Sequence, residues 1–250
     1  MNRLFANYKN ELYLLVTKKK YAVLLILGIL VCLGRIGGSL LLARISDGMV
    51  SVQSNLVMEI LPFFAEILVP LVVLMAVTDL FAAQMQDSTM KAVLLRPVSR
   101  FKILTSKVFA AFTVGVIYFI VLFIACVIIG IIFGGSGRMA ENLMQSMAAY
   151  AVDLVPMFIL ALMAVVINLL CDSATLSMFL SIAVYAVMKY CDYFVPGTNG
   201  ILFTSYMQWH KLWIGAALPF GAMISKIGVL LGSGVIFYTA GYYLFDNKKF

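Results

Sequence analysis

The sequence predicts an all-α integral membrane protein: six spanning helices, an N-terminal interfacial elbow helix, and a short cytoplasmic helix between spans 2 and 3. Three observations carry this expectation. Of 250 residues, 64% are hydrophobic and 12% charged, and mean hydropathy is +1.05; a soluble domain is about half apolar and about a quarter charged. Even a well-folded chain of ~250 residues leaves about a quarter of its unfolded surface in water, so a water-soluble monomer is excluded. Six windows of the ~20 mainly apolar residues needed to cross hydrocarbon recur between polar breaks. Lysine and arginine are distributed unevenly between the intervening segments.

The whole chain, 1–250, reads as one membrane domain. Residues 2–17 place Leu4, Phe5, Tyr8, Leu12 and Leu15 at helical spacing, with Arg3, Asn7, Lys9 and Glu11 elsewhere on the wheel. That pattern suits a helix lying in the inner interface. The charged start resembles a signal peptide, but no small-residue cleavage site closes the apolar stretch, so the segment is expected to be retained. The spans fall at about 21–43, 56–83, 106–133, 147–170, 174–195 and 227–245. Only Cys171, Asp172 and Ser173 separate the fourth from the fifth, which requires a tight hairpin. With both termini cytoplasmic, the inner segments hold twelve of the eighteen basic residues: Arg3, Lys9, Lys18, Lys19, Lys20, Lys91, Arg96, Arg100, Lys102, Lys107, Lys248 and Lys249. The outer loops hold Arg44, Arg138, Lys211 and Lys226. This asymmetry sets the orientation. The formal charge of +7 then reflects inner loops and anionic lipid rather than nucleic acid.

Residues 134–146 read as a short outer loop with a glycine turn. Residues 196–226 contain Tyr206, Trp209, Trp213 and Phe220, aromatics suited to the outer water boundary. Both a re-entrant hairpin and a simple surface loop fit that segment. GxxxG spacing at Gly34–Gly38, Gly130–Gly134 and Gly228–Gly232 permits close helix approach.

Chemistry-bearing motifs are sparse. There is no GxxxxGK[ST] phosphate loop, no HExxH and no nucleophile motif with a plausible histidine. The single His210 makes a two-imidazole centre impossible within one chain. Cys32, Cys126, Cys171 and Cys191 form no CxxC pair and read as small apolar packing residues. The chain is therefore not expected to be an enzyme or to carry a metal or cofactor. Within the spans, Arg35 and Glu66 lie at matching depths of ~12 to 15 Å from the outer boundary at 1.5 Å per residue, and an ion pair between them is expected. Lys189 and Asp192, three apart, can pair locally. Asp79 and Asp153 lie near span ends, where solvation suffices.

The most informative stretch runs from Gln84 to Lys107. Asp87, Ser88 or Thr89 can N-cap a short helix over 87–96, with Lys91 polar and Val93, Leu94 and Leu95 apolar. Pro97 disfavours helical geometry at Arg96 and ends it, and Ser99 can cap the next helix from Arg100. Apolar side chains on such a helix, with no soluble domain in this chain to cover them, point to another polypeptide.

On these residues the chain resembles the permease subunits of the ABC-2 family of ATP-binding-cassette transporters. That family typically has E-x-x-x-G-T after the second span, then an apolar run, P-V-S-R, and a lysine about seven residues on. This chain keeps Thr89, Val93, Leu94, Leu95, Pro97-Val98-Ser99-Arg100 and Lys107, with Gln84 and Ser88 replacing the common Glu and Gly. The resemblance implies that residues 87–96 are a cytoplasmic coupling helix that docks into a separate cytosolic ATPase. It further implies two such ATPases holding ATP and Mg, a second permease (identical or related), and a bacterial cytoplasmic membrane location. The implied task is outward movement of an amphipathic or hydrophobic substrate such as an antimicrobial peptide or drug. The competing reading is an autonomous secondary transporter or channel using Arg35 and Glu66; internal repeats would favour it, and none is evident.

Overall fold

In the computed structural model the described residues are 3–45, 56–95, 98–134, 137–195, 200–213 and 220–248. They are helical, without a strand among them. Hydrocarbon leaves a backbone little choice, since each N–H and C=O must be satisfied within its own segment. Helix α1 (Arg3–Val16) precedes α2 (Lys19–Ile45), the first span. The second span is built from α3 (Leu56–Phe63), a π turn at Phe64–Leu68, α4 (Val69–Leu80) and α5 (Ala82–Gln86). Next come the short α6 (Thr89–Leu94) and the long α7 (Arg100–Gly134), then α8 (Gly137–Val152) and α9 (Leu154–Leu170). Helix α10 (Ala174–Phe194), a 3-10 turn at Phe203–Tyr206, α11 (His210–Trp213) and α12 (Phe220–Asn247) complete the chain. Six helical stretches are long and apolar enough to cross a membrane, at Lys19–Leu41, Leu56–Gln86, Arg100–Phe133, Leu143–Leu170, Ala174–Cys191 and Ile224–Asn247. The chain is a multi-pass membrane protein.

Helices α4 and α9 form the buried centre, while α2, α10 and α12 leave most of their apolar surface facing outward. The three prolines within spans explain where helices break. Pro62 lies inside α3, Pro70 opens α4, and Pro156 follows the Val152–Leu154 junction of α8 and α9. Each removes an N–H that the carbonyl four residues earlier would have used. The carbonyl orphaned by Pro70 is that of Glu66, and the Tyr185 hydroxyl donates to it at 2.7 Å.

Both termini, the α5–α6 turn and the α9–α10 hairpin share one end of the bundle, here termed the termini face. Lys248 Nζ donates to Leu169 O at 2.7 Å and lies 3.3 Å from Asp172 at the hairpin. Lys20 Nζ and Lys18 Nζ sit 2.7 and 3.2 Å from Asp79 Oδ1. The Tyr21 hydroxyl donates to Asp79 Oδ2 at 2.7 Å, and Tyr118 donates to the Tyr21 carbonyl.

Several expectations change. Asp79 and Asp153 are buried and paired rather than solvated, because basic partners from other segments reach them. Residues 137–146 belong to α8 instead of a loop. Tyr206 and Trp209 are buried rather than placed at a water boundary, and only Trp213 is exposed; the side chain of Phe220 lies outside the described residues. The segment folds back into the bundle, Thr204 donating to Met188 O and Gln208 to Glu66. Helix α1 turns its polar row inward: Asn7, Glu11 and Leu15 are buried and Phe5 is exposed. The reason is that α7 supplies partners, Ser106 accepting from Asn7 Nδ2 at 2.6 Å and Lys107 meeting Glu11 at 2.9 Å.

Cys32 and Cys126 pack α2 on α7 with their sulfurs 3.0 Å apart, both buried. The glycines that permit close approach within the chain are Gly28 and Gly115. A Cβ at Gly28 would lie 2.7 Å from Leu122 Cδ2, and one at Gly115 2.8 Å from Val73 Cγ2. At Gly34, Gly38, Gly228 and Gly232 it would meet nothing within 4 Å.

Valine 73 is stiff about χ1, so Gly115→Ala should overpack the α4–α7 seam and cost about 1 to 3 kcal/mol. Thermal unfolding in detergent should show that loss, and Val73→Ala in the same chain should return most of it. Failure of that rescue would place the strain elsewhere.

Candidate coupling site and intramembrane polar groups

Helix α6 follows a turn at Ser88, whose φ of 57° and ψ of 9° put it in the left-handed region. A β-carbon there costs ~1 to 2 kcal/mol and only glycine avoids it, which gives the serine at this position a physical cost. Ser88 occupies the N-cap position without a side-chain cap. Instead the Thr89 hydroxyl donates back to Gln84 O at 3.2 Å, closing the end of α5. Asp87 is exposed at the turn and its N–H bonds Ala83 O. The expected helix over 87–96 is thus confined to Thr89–Leu94; Arg96 and Pro97 lie outside the described residues. Ser99 contributes its carbonyl to Ile103 N–H at 3.1 Å, as an N-cap does.

Side chains on this stub divide cleanly. Met90, missed as a candidate from sequence, is buried and anchors α6 to the core. Val93 and Leu94 are half-buried against it. Lys91 is exposed, and Leu95, immediately after the helix, is 86% exposed. Arg100, expected to face a docking partner, instead donates to Phe245 O at 3.4 Å and to Asp246 O, where it satisfies carbonyls at the end of α12.

Beneath the stub lies a buried polar cluster. Lys107 has no exposed side-chain surface. Its Nζ donates to Glu11 Oε1 at 2.9 Å, Gln84 Oε1 at 2.5 Å and Leu80 O at 3.2 Å. Gln84 Nε2 in turn donates to Glu11 Oε2 at 3.0 Å. The carboxylate that the motif commonly carries at position 84 is here supplied by Glu11 on α1. Gln86 Oε1 accepts from the Ala174 N–H at 2.9 Å, capping α10. The segment bearing α6 is therefore fastened to α1, α7 and α10.

A second polar group lies deeper. Arg35 pairs with Glu59, one heptad before the expected Glu66. Glu66 is taken by Lys189 at 2.6 Å and Gln208 Nε2 at 2.5 Å. Lys189 thus reaches the neighbouring span; the side chain of Asp192, its expected local partner, lies outside the described residues. A cavity of about 390 Å³ opens beside this pair, with Glu66, Lys189, Tyr185 and Tyr190 set among Ile67, Leu71, Leu74 and Ile182. Asp153 accepts from the His210 backbone N–H at 2.8 Å, with His210 Nδ1 at 2.7 Å, both residues buried. Gln208 sits in a segment without hydrophobic periodicity, so no sequence signal singles it out; His210 is the chain's single histidine, but no local pattern encodes its pairing with Asp153.

Removing the Lys107 ammonium leaves the buried Glu11 carboxylate without its counter-ion, with the Gln84 amide still donating to it, and breaking such a pair costs about 3 to 5 kcal/mol. Lys107→Met should be strongly destabilised in thermal or denaturant unfolding, and Glu11→Gln added to it should recover much of the loss. Glu66→Gln and Lys189→Gln should each destabilise, while the double variant should fall short of their sum by ~0.5 to 3 kcal/mol in a double-mutant cycle; strict additivity would dissolve the pair.

Comparison with known proteins accords with this architecture. A family model described as ABC-2 family transporter protein matches residues 17–189. No curated protein matches the chain.

Proposed function

Because this chain belongs to the ABC-2 family of transporter proteins, we propose that it is the permease of an ATP-driven exporter whose ATPases grip α6 from the cytosol. The permease role and a general association with ATPase subunits follow from family membership. The further steps are our reading: a cytoplasmic termini face, a bacterial cytoplasmic membrane, two ATPases that carry ATP and Mg, and a second permease beside this one. Outward movement of an amphipathic peptide or drug completes it.

One observation carries the proposal. Leu95 stands 86% exposed at the end of a six-residue helix anchored by Met90, at a face rich in basic residues. Basic character of that kind favours the cytosolic side, where a leucine in water wants a partner surface. Burying one on docking contributes ~1.5 to 3 kcal/mol. Gln84, Gln86 and Lys107 tie the same segment to three other helices, so displacement of α6 cannot stay local. The cavity beside Glu66 and Lys189 joins an ion pair to leucine, isoleucine and tyrosine walls, a chemistry matched to amphipathic cargo. Family membership favours the permease reading over autonomous transport; Arg35 and Glu66, the charges that alternative would use, belong to different pairs.

Leu95→Asp should weaken ATPase association by about 2 kcal/mol, about 30-fold in Kd, and abolish substrate-stimulated ATP hydrolysis while membrane insertion stays intact. Pull-down of the complex with ATPase assays reads both. Arg100 is a poor probe of docking because its reversal would uncap α12. A Leu95→Cys protein labelled only from the outer side, or one with undiminished coupling on Leu95→Asp, would overturn the proposal.

A further inference from the structure

Between α7, α9 and α12 runs an apolar groove of about 580 Å³, open to the surroundings. Phe112 and Phe158 form part of its wall, their rings 5.2 Å apart, and Trp209 stands at one end. Along α12 it extends from Ile227 to Thr239, about 18 Å at 1.5 Å per residue. Ile227 lies beside the membrane boundary remote from the termini face, since the sixth span begins at Ile224. The groove therefore covers the thickness of one leaflet, roughly half of a ~30 Å hydrocarbon core. Along α9 it begins at Leu154, the end of that helix remote from the termini.

Basic and aromatic residues flank this end of the groove in sequence. Lys226 precedes Leu230, a groove residue, by one helical turn and shares its face. Lys211 lies two residues from Trp209 and is exposed. Neither lysine makes an ion pair among the described residues. Buried Trp209 packs edge-on against the exposed Trp213 with ring centroids 5.7 Å apart, so Trp213 is the indole suited to a headgroup boundary. We infer that this groove is a binding site for one acyl chain of a phospholipid from the leaflet remote from the termini, with Lys226 and Lys211 meeting its phosphate. Apolar walls suit an acyl chain, the lysines near its end suit a phosphate-bearing headgroup, and the length matches a chain reaching toward mid-bilayer. The bound chain fills a gap between three spans that their own side chains leave open, thereby supporting α12.

The chain has two tryptophans, which makes the test direct. In Trp213→Phe protein, Trp209 is the sole indole, and at 8% exposure it is shielded from lipid outside the groove. Reconstituted in nanodiscs of phosphatidylglycerol with brominated acyl chains, it should be strongly quenched relative to the unbrominated lipid. Gly234 lines the groove, and a Cβ there would stand 3.8 Å from Ile159; Gly234→Leu should fill the space and abolish most of that quenching. Lys226→Glu should preserve the fold and lower phospholipid retention in native mass spectrometry. Absence of quenching in the Trp213→Phe protein overturns the inference, as does quenching and lipid retention that persist unchanged in Gly234→Leu. Should Gly234→Leu not fold, unaltered retention in Lys226→Glu overturns it instead. The readout needs neither nucleotide nor ATPase and so stands apart from the export proposal.

Discussion

A lysine ammonium with no contact with solvent fixes the termini face. In low dielectric an isolated charge costs several kcal/mol, so Lys107 is tolerable only while Glu11, Gln84 and the Leu80 carbonyl surround it together. These groups come from the elbow, from the end of the second span, and from a carbonyl near that span's final turn. Loss of Glu11 would leave the Lys107 ammonium buried without its counter-ion, and loss of Lys107 would do the same to Glu11. Helices α1, α5 and α7 are thereby held in one arrangement, and the turn at Ser88 projects α6 from that base. The elbow, which sequence periodicity treats as an amphipathic float, is instead a structural member with its carboxylate in the core.

Prolines set the other organising constraint, at the opposite end. Pro70 strips Glu66 of its helical donor, a π turn forms ahead of it, and Tyr185 on α10 supplies the missing hydrogen bond. Pro156 follows the break at which Asp153 faces His210. Both breaks expose polar backbone or carboxylate within a membrane-spanning stretch, where it must find partners. Residues 200–213 provide them through Gln208 and His210. An irregular segment enters the bundle because the spans beside it are imperfect helices.

The six spans were legible because a hydrocarbon slab imposes length and polarity on each segment independently of its neighbours. So was the hairpin, since three residues at Cys171–Ser173 allow no other geometry. Pairings were less legible, for a physical reason. Depth along a straight helix placed Arg35 opposite Glu66, yet Glu59 is its partner, because depth carries no azimuth and Pro62 with the π turn shifts the register between the two glutamates. The face that they share was readable, but its order was not. Asn7 and Glu11 pointed outward on the wheel because the partners that draw them in lie about a hundred residues away. Arg100 matched the motif and was assigned by it to a docking surface, whereas its side chain serves the end of α12, a contact no local pattern encodes. Family resemblance located the α6 stub, and chemistry distinguished its anchor, Met90, from its exposed end, Leu95.

These contacts also form a route of the kind that coupling requires. Gln86 caps the first N–H of α10, and from Ala174 to Lys189 that helix is rigid over about 22 Å at 1.5 Å per residue. Lys189 closes on Glu66 at its far end, beside the polar cavity. Under the proposed docking, a tilt of the α5–α6 segment would pass to α10 through this hydrogen bond. Packed interiors shift between discrete arrangements rather than deform smoothly. In the proposed exporter the 2.6 Å ion pair would have two states, closed or opened to solvent and cargo. The route rests on contact, and its force as an account of coupling comes from joining the two places where this chain leaves unusual chemistry at a helix end: an exposed leucine at one face and a carboxylate beside a proline break at the other.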